Sequence, residues 1–267
     1  MSMIVYCNGD SHIDSRYPTN KDWRDKIYCN YVGQELNAFV INQALSGSCT
    51  RRIIRTSVHD LILHRRLNPH AKIVALISLS FDLRSEIWWP PGSNGAPEES
   101  DFITHTFSDQ IDWRERLFKK NVVNPKKIDS IVNDDVAAKY YEQFSKGRAF
   151  FFSTEAERIN FLCDLIMFRS LLESLKIDFL IFQGPPVDKL SECYLKDFFQ
   201  KELSSDQRFF DFENFSFTRW CHEQEFIPYD FKERPLIGHY EPNAHEKFAQ
   251  DVILPALRNT AKWMNQT

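Results

Sequence analysis

Short apolar runs alternate with helix-length amphipathic stretches along most of the chain. Residues 3–8 form a compact apolar run that ends at Asn8-Gly9-Asp10-Ser11, the signature of a short buried strand entering a glycine-containing turn. The spacing of Trp23, Ile27, Tyr31, Leu36 and Phe39 predicts an amphipathic helix over 23–39, followed by a strand over 40–45 that closes at Ser46-Gly47-Ser48. A helix is predicted over 50–67, with Ile53, Ile54, Val58, Leu61 and Ile62 facing inward, and Asn68-Pro69 ends it because the residue before a proline disfavours the helical region. Residues 73–79 are the clearest buried strand.

The rhythm breaks between Trp88 and Phe152. There Pro90-Pro91-Gly92-Ser93-Asn94-Gly95 reads as a loop and 133–144 as helix, so 88–152 is expected to be an insertion over one end of the sheet. The pattern resumes with a helix from Ser153 to about Leu175, capped by Ser153 and Thr154 with acidic residues in its first turn. A strand over 178–182, stopped by Gly184-Pro185-Pro186, follows. A helix near 190–203, a short strand near 208–212 and a closing helix over 245–264, bent at Pro255, complete the reading. Apolar strands alternating with helices imply a parallel sheet covered on both faces. One domain spanning 1–267 is expected.

Composition changes this picture little. The 267 residues are 43% hydrophobic and 26% charged, enough to bury a large core, and 23 Phe against 8 Gly indicate an aromatic-rich interior. A formal net charge of −4 argues against a nucleic-acid partner, and the short basic pieces around Arg51 and Lys119 read as solvated helix faces. No apolar run is long enough for a membrane span, and no secretory leader pattern precedes the first strand. The six cysteines form no CxxC or metal-like cluster, so reduced thiols and a cytoplasmic location are expected.

Three segments could carry chemistry. Gly9-Asp10-Ser11-His12 follows the first strand, where a turn can expose a serine nucleophile and supply backbone N–H donors. Ala44-Leu45-Ser46-Gly47-Ser48-Cys49 follows the second strand, where a glycine lets an amide approach a ligand closely. Gly238-His239-Tyr240-Glu241 lies near the C-terminus, where a loop histidine can reach the strand-one serine across the sheet's C-terminal edge. Taken alone, the first two read sooner as a helix cap and an ordinary strand-to-helix turn, and the bland reading of the third puts His239 on the surface and His245 in packing.

Together, in this order, the three segments resemble the SGNH (GDSL) hydrolase family, over most of the chain and with a likeness to a subgroup found in phage and bacterial genomes. The resemblance implies a three-layer α/β/α sandwich with a flavodoxin-like parallel sheet of about five strands. It also implies a serine esterase acting through an acyl-serine, without metal or organic cofactor. Ser11 would be the nucleophile and His239 the base, with amides of Ser11 and Gly47 in the oxyanion hole. A small-molecule or glycan ester is the substrate so implied, O-acetyl groups on a glycan being the first choice. The alternatives are a binding protein that kept the fold and a lipid-acting esterase.

Two departures from the family pattern stand out. The position of its oxyanion asparagine holds Ser80-Phe81-Asp82, leaving Ser80 as a substitute donor or the hole to backbone amides alone; losing one such donor typically costs about 3 kcal/mol of transition-state stabilisation. The acid expected two or three residues before the histidine is replaced by Leu236 and Ile237. Asp230 or Glu241 could serve, a backbone carbonyl could hold the ring, or the site could be a Ser–His dyad, the arrangement these positions favour. Arg84 and Glu86 are candidates for substrate contact or for an internal ion pair. Trp88-Trp89 reads as a hydrophobic cover ahead of a sugar platform.

Overall fold

The computed structural model describes residues 2–15, 20–80, 84–88, 102–106, 154–186, 201–211 and 214–261, with the backbone alone at 84–88, 102–106 and 154–158. Four parallel strands form the central sheet in the order β2-β1-β3-β6: β1 (Met3–Asn8), β2 (Phe39–Asn42), β3 (Lys72–Leu79) and β6 (Asp178–Gln183). A flavodoxin-like order arises because the chain crosses back over β1 after its second strand. The fifth strand expected near 208–212 is reduced to a bridge. Phe209 pairs in parallel with Ile181, held by Ile181 N–H to Arg208 C=O at 2.9 Å and Phe210 N–H to Ile181 C=O at 3.0 Å.

The period of two along each strand divides the core. Val5, Cys7, Val74, Leu76, Leu180 and Phe182 face one layer, formed with α1 (Tyr28–Glu35), α4 (Phe217–Glu223) and the C-terminal helices α5 (Pro242–Phe248) and α6 (Leu254–Thr260). Ile4, Tyr6, Ile73, Ala75, Ile77, Phe179 and Ile181 face the other, against α2 (Thr50–Leu67) and α3 (Thr154–Ser174). Burial on both faces explains the continuous apolar runs of β1, β3 and β6. In the first layer Tyr28, Phe182, Phe217 and Phe248 meet in tilted and edge-on pairs at 4.9–5.7 Å.

Several elements differ from expectation. The helix over 23–39 is shorter, because Ile27 is extended and Asn37 takes a left-handed conformation (φ 47°). Asparagine tolerates that conformation, and Ala38 N–H closes the helix on Gly33 C=O at 2.8 Å. Phe39 instead opens edge strand β2 and is 70% exposed. The last helix is interrupted by a wider π turn at Ala249–Ile253, just ahead of Pro255, whose missing N–H and bulky ring disfavour a regular turn. The parallel pattern ends earlier than Trp88: β4 (Arg84–Trp88) pairs antiparallel with β5 (Phe102–Thr106) in a separate two-stranded sheet. The predicted loop at 90–95, the helix at 133–144, most of the helix at 190–203, Trp89 and Cys193 lie outside the described residues. The five described cysteines form no disulfide. Among the described residues, no helix is long and apolar enough to cross a membrane.

Candidate active site

Strand β1 delivers the first candidate. Buried Asn8 ends the strand and anchors it to α2, its side-chain amide donating to Ile53 C=O at 3.1 Å and Thr56 Oγ1 at 2.8 Å. Its Oδ1 accepts from Gly9 N–H at 2.9 Å, so the chain turns sharply at a fixed point. One helical turn follows, with Ile13 and Asp14 N–H donating to Asp10 C=O at 3.2 and 3.0 Å, and Ser11 sits on it, partly exposed. The turn after β2 is tied to the same place. Leu45 N–H donates to Gly9 C=O at 3.1 Å and Ser46 N–H to Asp14 Oδ2 at 2.7 Å.

Gly47 occupies the third position of a four-residue turn closed by Ser48 N–H to Leu45 C=O at 3.0 Å, with φ 82°. A type II turn requires that sign of φ there, which is the physical reason for a glycine.

The histidine arrives from the other end of the chain. His239 is 7% exposed, and its Nε2 lies 2.8 Å from Ser11 Oγ, bridging 228 positions in sequence. Its Nδ1 lies 2.7 Å from Asp230 Oδ2, and its backbone N–H donates to Asp230 Oδ1 at 2.7 Å. Of the two candidate acids named from sequence, Asp230 is thus the one beside the His239 ring. The loop between them folds back on itself, pinched by Tyr229 N–H to His239 C=O at 3.0 Å. Phe231 at φ 47° and the 3₁₀ turn Pro235–Ile237 take up the intervening residues. Gly238 packs so closely on Pro228 that a Cβ there would lie 2.5 Å from the proline Cβ. Glu241, the other candidate acid, is exposed at the start of α5 while Asp230 holds the ring. Burial pushes the His239 pKa below its ordinary value, opposed chiefly by the Asp230 hydrogen bond.

Ser80, the candidate oxyanion donor, directly follows β3. It is buried, and its hydroxyl donates to Asp10 Oδ2 at 2.9 Å. Its backbone N–H is bonded to Thr50 Oγ1 at 3.2 Å. Arg84 and Glu86 lie on β4, opposite Thr106 and Thr104 of β5. His245 is packed against Tyr28 and Phe217. Among the described residues no cluster of side chains could hold a metal ion.

Sequence patterning did not single out His12. Its Nδ1 lies 2.8 Å from Asp10 Oδ1, and its ring stacks on that of His239 with centroids 4.8 Å apart. Adjacency to Ser11 was the available signal, and it carries no periodicity.

No protein-family model and no curated protein matches the chain. Among solved structures it resembles the psychrotrophic esterase EstA from Pseudoalteromonas sp., in a form inhibited by monoethylphosphonate. The identity is 9%, with 98% of each chain covered and a TM-score of 0.42. It also resembles a member of the lipolytic protein G-D-S-L family from Veillonella parvula. That identity is 11%, covering 95% of this chain and 97% of the other, with a TM-score of 0.42.

Proposed function

We propose that the chain is a serine esterase that hydrolyses a carboxylic ester through an acyl-serine intermediate. One observation carries the reading: the continuous hydrogen-bonded line from Ser11 Oγ through the His239 ring to Asp230, at 2.8 and 2.7 Å. A serine hydroxyl is a weak nucleophile, and a neutral imidazole at that distance can take its proton as attack begins. The depressed pKa keeps His239 neutral, and therefore basic, near pH 7.

In this reading Ser11 Oγ attacks the ester carbonyl while its proton passes to His239 Nε2, and Asp230 stabilises the resulting imidazolium. The imidazolium then gives that proton to the departing alkoxide, leaving the acyl group on Ser11. A water, deprotonated by His239, attacks the acyl carbon; the second tetrahedral intermediate releases the carboxylic acid as the proton returns to Ser11. The amides of Ser11 and Gly47 are the donors assigned to the oxyanion. They stand on two turns tied directly together, and neither amide is hydrogen-bonded to another described residue. A small acyl ester, such as an O-acetyl group on a glycan, is the substrate class assigned by the sequence resemblance.

Incubation with a fluorophosphonate, followed by peptide mass analysis, is expected to place the adduct on Ser11. p-Nitrophenyl acetate is expected to be turned over by the wild type and not by Ser11→Ala. Absence of both adduct and turnover would remove the proposal.

A further inference from the structure

His12 directly follows the candidate nucleophile, yet the chemistry above makes no use of it. The residue is 5% exposed, and its backbone N–H and ring Nδ1 both meet Asp10 Oδ1, at 3.1 and 2.8 Å. Asp10 is fully buried, and its second oxygen receives the Ser80 hydroxyl at 2.9 Å. Beyond these contacts His12 presents its ring face to His239, with the two planes 25° apart. Its Nε2 is buried and meets no hydrogen-bond partner among the described residues.

Facing a carboxylate, Nδ1 carries a hydrogen and donates it to Asp10 Oδ1, and the Ser80 hydroxyl holds the other oxygen of that carboxylate. The ring is thereby fixed with its face towards the His239 imidazole.

We propose that His12 is a positioning residue: held by Asp10, its ring face sets the plane of the His239 imidazole. The proposal rests on the esterase reading only in naming His239 as the base; how the ring is held can be tested separately.

Wild type, His12→Phe and His12→Asn are compared by steady-state kinetics on p-nitrophenyl acetate and by ¹H–¹⁵N NMR of the imidazoles. Asparagine can donate to Asp10 but offers no ring face, so kcat should fall about 100-fold with KM nearly unchanged, as for a small misplacement of a reacting group. Phenylalanine restores the face and should recover most of kcat. The His239 Nδ1–H signal should be sharp in wild type and His12→Phe and exchange-broadened in His12→Asn. Near wild-type kcat in His12→Asn or a 100-fold loss in folded His12→Phe would each overturn the proposal. If the wild type neither turns over the ester nor labels at Ser11, the esterase reading fails. The NMR signals still decide, because a sharp His239 Nδ1–H in folded His12→Asn would show the ring held without His12. Should His12→Asn not fold, the kcat and the His239 Nδ1–H signal of His12→Phe decide between the same two outcomes.

Discussion

Asp230 Oδ2 lies 2.7 Å from His239 Nδ1, although nine positions separate the two residues in the chain. The same carboxylate also accepts the His239 backbone N–H, so its two oxygens hold both the ring and the main chain that carries it. Asp230→Asn should therefore lower kcat by orders of magnitude, about 10³–10⁴-fold, with little change in KM, because an amide cannot stabilise the imidazolium. Glu241→Gln should leave kcat near wild type. Equal activity in both variants would return the site to a dyad.

The pH profile provides a second test. His239 must be neutral to accept the Ser11 proton, and burial holds its pKa below the ordinary 6.5. The acid limb of kcat/KM should consequently fall below pH 6.5. The Asp230 hydrogen bond raises the pKa against that burial, so Asp230→Asn should move the limb to lower pH in whatever activity survives. A limb above pH 6.5 in the wild type would contradict the assignment.

Gly47 is constrained twice, by its φ of 82° and by its proposed oxyanion amide. Gly47→Val should abolish turnover and also destabilise the fold by about 1–3 kcal/mol, since a β-branched residue is strained at positive φ. Thermal unfolding and ester kinetics on the same sample check both effects. Unchanged stability would mean the turn adapts.

His245 bears on acid stability. Fully buried beside Phe217 and Tyr28, it has a pKa pushed down to about 3, with burial the largest cause. A folded-state pKa below the unfolded value means that the unfolded chain binds more protons, so stability falls as pH drops from 6.5 towards 3. The loss should reach about 3 kcal/mol by pH 4. His245→Phe removes this proton and leaves no buried ring nitrogen, so its melting temperature should decline less between pH 7 and pH 4. An equal decline would assign acid unfolding to other groups.

The layered architecture was legible because burial leaves a periodic trace. Strands covered on both faces must be apolar throughout, and β1, β3 and β6 announce themselves that way. Proline and glycine punctuation likewise marks the end of α2 and the Ser11 and Gly47 turns. Ser11, Gly47 and His239 could be singled out because each stands where an apolar run meets a turn or helix.

The pairing of Asp230 with His239 had no such trace. It depends on a loop that doubles back through a left-handed Phe231, a 3₁₀ turn and the contact of Gly238 with Pro228. Those conformations follow from local turn geometry and three-dimensional packing, which spacing along a chain does not encode. The same holds for Ser80, whose hydroxyl found Asp10 across the sheet, and for His12, whose ring found His239. Hydrophobic periodicity specifies which side of an element is buried. Which polar groups then meet inside is decided by the handful of hydrogen bonds that burial obliges them to make.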